Sequence, residues 1–81
     1  MFRYYGQKYN VDANTLKQGA YYLTVGCTHV PNEYCYLLCI TSSIEGTANG
    51  DVGQIAFNVN NIWFRRKSSN AWSEWKAVIS Q

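Results

Sequence analysis

The residues whose side chains could do chemistry by type are Cys27, His29, Cys35 and Cys39, spaced C-x-H-x5-C-x3-C. Thiolate and imidazole are zinc ligands, and zinc holds four donors tetrahedrally with sulfur about 2.3 Å away. This spacing matches no common zinc module. The run from Tyr34 to Thr41 reads as a strand, where Cys35 and Cys39 stand about 13 Å apart at roughly 3.3 Å per residue. Neither one metal ion nor a disulfide spans that gap. A pairing of Cys27 with either thiol across strands stays open. Cys27 and His29 on a strand would share a face about 6.6 Å apart, the arrangement of a nucleophile and its base. No orienting acid is evident in the sequence, so the expectation is structural thiols, no catalytic residue, no metal and no cofactor.

The acids Asp12, Glu33, Glu45, Asp51 and Glu74 are scattered, and no two suggest a paired-carboxylate site. Glu45, Asn49 and Asp51 share one loop without the tight alternation and distal Glu of a Ca²⁺ loop. Gly46, Gly50 and Gly53 precede a strand rather than a Gly-Lys helix start, so they do not form a phosphate cradle.

The remaining pattern is aromatic and basic: "IWFRRK" at 62–67 is followed by "AWSEWK" at 71–76. Such a surface stacks nucleobases in single-stranded nucleic acid, stacks on the apolar faces of sugar rings, or is buried against a partner chain. Net charge is only +2, too little to indicate nucleic acid by itself.

The elements that must position these residues are short strands. The chain has 81 residues, enough for one domain of modest stability, a size at which oligomerisation is common. Charged residues are 15% of the chain against about 25% in average proteins, which suggests that part of the surface meets another chain. The N-terminus lacks the apolar stretch of a signal peptide, and no run approaches the ~20 residues of a membrane span. An odd number of cysteines fits a reduced protein made in a cytoplasm.

Runs rich in Tyr, Val, Ile, Phe and Trp recur between Gly/Asn/Ser clusters, the signature of antiparallel β structure. Residues 1–10 form an aromatic lead segment and 11–81 the domain proper. Asp12 is the expected N-cap of a short helical turn. Strands are expected at 20–25, 34–41 and 54–59, and a terminal hairpin at 62–67 and 72–79. With residues 68–71 as its loop, Lys67 faces Trp72, Arg65 faces Glu74 and Phe64 faces Trp75. One face then carries Ile62, Phe64, Trp75, Ala77 and Ile79 as core, and the other carries Trp63, Arg65, Lys67, Trp72, Glu74 and Lys76. Trp75 is thus expected in the core and Trp72 outside it. Tyr21, Leu38, Ile40, Phe57, Phe64 and Trp75 are the core candidates. Trp63, Arg65, Arg66 and Trp72 are the ligand or subunit-interface candidates.

The order Asp12-x-Asn14, Gly19-x-Tyr21, Pro31, Gln54, Ile62-Trp63-Phe64-Arg65 and Trp72-Ser73-x-Trp75 resembles the knob domain of R-type pyocin and bacteriophage tail fibres. That family resembles "D-x-N…G-x-Y…N-x-P…Q…I-Y-x-R…W-S-x-W" with similar gaps, and the likeness covers about residues 11–79. Trp63 stands where the family often has tyrosine, and the three cysteines are atypical. The resemblance implies a mainly β, small single-domain antiparallel β-sheet knob, with a short N-terminal helical turn and a C-terminal β-hairpin. It further implies a non-enzymatic module of a homotrimeric fibre, working with other tail-fibre or baseplate proteins. Its ligand would be a bacterial surface polysaccharide, and its place a virion tail made in the host cytoplasm. The aromatic lead would be a shaft junction or subunit contact. The alternative is a monomeric single-stranded nucleic-acid-binding module using the basic aromatic face.

Overall fold

A computed structural model describes residues 2–42 and 50–78. The expected β class is what the chain adopts. Its strands are β1 (Tyr4–Lys8), β2 (Gly19–Leu23), β3 (Cys35–Thr41), β4 (Val52–Phe57), β5 (Ile62–Ser68), β6 (Ala71–Trp72) and β7 (Lys76–Ala77). They form one sheet in the order β1-β2-β3-β4-β5-β6, with β7 also on β5. Among these strand pairs of the described residues, β1–β2 alone is parallel. The aromatic lead segment therefore supplies an edge strand of the sheet.

The connection from β1 to β2 crosses one face of the sheet. It contains a 3₁₀ turn at Ala13–Thr15, capped as expected by Asp12, whose carboxylate accepts from the Asn14 N–H at 2.9 Å. The β2–β3 connection is pinned to it. Ala13 N–H donates to the Thr28 carbonyl and Thr28 N–H to the Val11 carbonyl. Ala13 of this cover packs with Tyr21, Leu23, Cys35, Leu37, Cys39, Val52 and Ala56 of the sheet to form the core of the molecule. Side chains alternate across a strand, and β4 shows it plainly: Val52, Gln54 and Ala56 face inward, Gly53, Ile55 and Phe57 outward.

That alternation overturns part of the sequence reading. Tyr21 is buried, and Trp75 is half-buried against the core. Ile40, Phe57 and Phe64 are exposed, and Leu38 is only half-buried, all four pointing away from the covered face. Strand β3 has apolar residues on both sides: Cys35, Leu37 and Cys39 on one, Tyr36, Leu38 and Ile40 on the other. Hydrophobicity could not choose between them, and the smaller side chains went inside.

The terminal hairpin keeps the expected start and then departs from it. Lys67 does face Trp72. Ser68 also pairs with Ala71, leaving a two-residue loop of Ser69 and Asn70. Both have positive φ (54° and 63°), the backbone of the tight hairpin turn whose twist matches the strands. Further on, Phe64 faces Lys76 and Trp63 faces Ala77, one residue away from the expected register. The extra residue is absorbed at 73–75, a bulge. Ser73 anchors it: its N–H donates to the Arg66 carbonyl at 2.8 Å, and its hydroxyl accepts from the Arg66 N–H at 3.0 Å. Ile79 lies outside the described residues.

Candidate functional site

The bulge explains the paired tryptophans. Residues three apart on an unbroken strand face opposite ways. With one residue inserted, Trp72 and Trp75 reach the same side chain, Arg65. Its guanidinium carbon lies 3.8 Å from the centroid of the Trp72 ring and 4.8 Å from that of Trp75. Lys67 stands further out, 5.8 Å from the Trp72 centroid. The expected grouping of Trp63, Arg65, Lys67 and Trp72 on one face is what the structure contains, but that face is the covered one. Arg65 is 4% exposed, and Trp63 and Trp72 pack against the core. Of the four candidate contact residues, Arg66 alone is exposed.

A polar chain runs inward from this clamp. Arg65 Nε donates to Gln54 Oε1 at 2.8 Å, and Gln54 Nε2 donates to the Ala13 carbonyl at 2.8 Å. Gln54 is 1% exposed, so its amide ties the centre of the sheet to the 3₁₀ turn. Burial pulls the Arg65 pKa down to about 10, against the opposing pull of Asp12 and Cys39. The group stays cationic at neutral pH. Trp75 closes the other end, its indole N–H donating to the His29 carbonyl at 2.9 Å. His29 Nδ1 lies 2.7 Å from Asp12 Oδ1. Burial pushes the Asp12 carboxyl up, but the Asn14 and His29 hydrogen bonds outweigh it and hold the group below its usual value.

The cysteines are free thiols. Burial raises Cys35 to about 11 and also raises Cys39, away from the thiolate form. Cys27 is half-buried, with Sγ 4.0 Å from the Lys8 carbonyl. No hydrogen bond joins it to His29 among the described residues, whose imidazole is engaged by Asp12. Among the described residues, no group of three or more His, Cys, Asp or Glu side chains could hold a metal ion. Nor is any helix among them long and apolar enough to cross a membrane.

The uncovered face of the sheet is the other candidate, and sequence reasoning misplaced it. Three rows of paired residues cross it: Tyr22–Tyr36–Phe57–Ile62, Ala20–Leu38–Ile55–Phe64, and Ile40–Gly53–Arg66. Seven apolar side chains there, Tyr36, Ile40, Ile55, Phe57, Ile62, Phe64 and Val78, are 36–58% exposed. Together they open on the order of 600 Å² to solvent, the upper end of what monomers carry. Gly53 leaves a gap in the third row, and a Cβ placed on it would meet nothing within 4 Å. The resulting hollow, about 680 Å³, is lined mainly by Leu38, Ile40, Ile55, Phe64 and Val78. The signal for this face was present in the sequence as the second apolar register of β3 and the Ile62/Phe64 register of β5.

Compared with protein-family models, curated proteins and solved structures, the chain matches none.

Proposed function

We propose that the chain is a non-enzymatic knob module of a phage or pyocin-type tail fibre. It assembles as a homotrimer and contributes to attachment at bacterial surface polysaccharide. The observation that carries the assembly reading is the apolar, uncovered sheet face. A stable interface buries roughly 800 Å² per partner, and its centre is apolar. The open face supplies on the order of 600 Å² of apolar area before its polar rim is counted. Three such faces turned toward a common axis remove that surface from water. The tail-fibre context rests on the resemblance in the Ile62–Arg65 and Trp72–Trp75 segments. A virion component made in the host cytoplasm fits the reduced thiols and the charge-poor composition.

The nucleic-acid reading is weaker for a physical reason. Its stacking platform needed Trp63, Arg65 and Trp72 on the outside, and Arg65 is enclosed between two indoles.

The test is Phe64→Asp. Phe64 is 45% exposed on the open face, so a carboxylate there is tolerated by the single chain and not by a buried trimer centre. The variant is expected to keep its far-UV circular dichroism and to lose assembly. A variant that assembles as the wild type does would refute the role of this face.

A further inference from the structure

We infer that the hollow between β1 and the connection that follows it binds the anionic group of an acidic sugar, a hexuronate carboxylate or a sugar phosphate. The inference rests on the surface-polysaccharide reading and gives that ligand a charge and a place. The chain has seven lysines and arginines, and those before residue 61 are Arg3, Lys8 and Lys17. Folding brings all three to one corner. The Lys17 ammonium lies 4.8 Å and the Arg3 guanidinium carbon 5.5 Å from the centroid of one ring, Tyr5. Lys8 and Lys17 line a hollow beside that ring. None of the three cations forms an ion pair with a carboxylate among the described residues, and no described acid lines the hollow. Like charges gathered without a counter-ion raise a positive potential, which a bound anion lowers.

The backbone that carries these charges is pinned, each time by its carbonyl. Ala20 N–H donates to the Arg3 carbonyl at 2.7 Å. The Thr24 N–H and hydroxyl both donate to the Lys8 carbonyl at 2.9 Å. The Tyr21 hydroxyl donates to the Lys17 carbonyl at 2.7 Å. Tyr5 itself is stacked on the buried Tyr21, with centroids 5.3 Å apart and planes within 21°. A ligand arriving here has only side-chain heads left to order, which keeps the entropic cost of binding low.

Size and lining select the rest of the ligand. The hollow holds about 390 Å³, near the lower end of the roughly 300–1,000 Å³ of small-molecule sites. Val11 and Leu16 give it an apolar wall for the C–H face of a sugar ring. The two ammonium groups meet the acid group in charge-assisted hydrogen bonds. The Thr15 hydroxyl donates to the Asp12 carbonyl at 2.8 Å, which leaves its oxygen to accept from a sugar hydroxyl. None of these residues belongs to the open sheet face, so assembly through that face uses none of them.

The experiment is a titration of the ¹⁵N-labelled chain with four probes: glucuronate, glucose 6-phosphate, methyl α-glucopyranoside and inorganic phosphate. At least one acidic sugar is expected to shift the backbone amide signals of Thr15 and Lys17, with Kd on the order of millimolar. It should bind at least about tenfold tighter than methyl α-glucopyranoside, and more weakly as salt is raised. The tighter of the two acids tells carboxylate from phosphate. Lys17→Gln, at an exposed position, should weaken binding about tenfold, and Lys17→Arg should keep most of it. Lys8→Gln is the second variant, with the same expected loss. Binding unchanged in both glutamine variants, with the fold intact by circular dichroism, overturns the site. So does the absence of shifts with both acidic sugars up to about 50 mM. Methyl α-glucopyranoside binding as tightly as the acids overturns the charge assignment and leaves the polysaccharide reading standing. Inorganic phosphate matching glucose 6-phosphate, with glucuronate silent, overturns the sugar assignment, and the polysaccharide reading loses this site.

Discussion

Replacing Arg65 with lysine keeps the charge and removes the plane. The guanidinium is pressed between two indoles with centroids 3.8 and 4.8 Å away, and a compact ammonium cannot lie flat against both. A desolvated cation–aromatic contact contributes about 1–2 kcal/mol, so weakening two of them costs about 2 kcal/mol. The bond from Arg65 Nε to Gln54 is also lost, leaving a buried amide oxygen short of its donor at about 1 kcal/mol or more. The sum for Arg65→Lys is about 3 kcal/mol. The whole stability of a domain this size is roughly 4–12 kcal/mol. At about 4–8 °C per kcal/mol, the melting temperature should fall by roughly 12–24 °C. Melting is to be followed by circular dichroism at one fixed protein concentration, because the proposed assembly would make it concentration-dependent. Running the same pair of proteins in the Phe64→Asp background removes that coupling. A lysine variant melting within about 2 °C of its parent would refute the view that the W-S-x-W bulge exists to hold an arginine.

Other outcomes follow from the same geometry. Gly19→Ala places a Cβ 2.7 Å from the Arg3 carbonyl and 2.5 Å from the Tyr5 ring, at a φ of +152°. It should destabilise by about 2 kcal/mol or more, and an unchanged urea midpoint would remove the claim that β1 closes tightly on β2. Gly53→Val fills only open space. The single chain should fold as well as before while assembly weakens, and light scattering that finds unchanged assembly would show that the Gly53 hollow receives nothing. One thiol of three, Cys27, should react rapidly with a disulfide reagent in the folded protein, and prompt reaction of Cys35 or Cys39 would contradict their burial. Stability should fall at alkaline pH. Burial raises Cys35 to about 11 from 9.0 and Tyr21 to about 12 from 10.0. The unfolded chain therefore releases those protons first, and the stability they confer is lost as pH rises from about 9 through 12. A flat urea midpoint between pH 8 and pH 11 would refute that linkage.

Strands β2 to β5 were legible because β-branched and aromatic runs between turn residues are a local signal, whereas β1 was read only as an aromatic lead segment. The Asp12 cap was legible too, because its carboxylate needs only the next two residues. The pairing of Lys67 with Trp72 followed from hairpin geometry. The bulge was not legible, because its cause is distant: Trp75 reaches the His29 carbonyl and Arg65, on other elements. One inserted residue shifted the pairing beyond it, so that Phe64 faces Lys76 and Trp63 faces Ala77. The choice of covered face was also hidden. The covered side carries Cys35, Cys39, Gln54 and Arg65, and the open side Ile40, Ile55, Phe57 and Phe64. On β3 and β4 a rule that sends the larger apolar side chains inward gives the wrong answer, and the proposed assembly would cover them instead.

The most direct test of that claim is the solution mass of the wild-type chain, by size exclusion with light scattering over a wide concentration range. A trimer built through the open face gives a plateau at about three times the 9.3 kDa of one chain. A mass of one chain at every concentration would contradict the assembly reading.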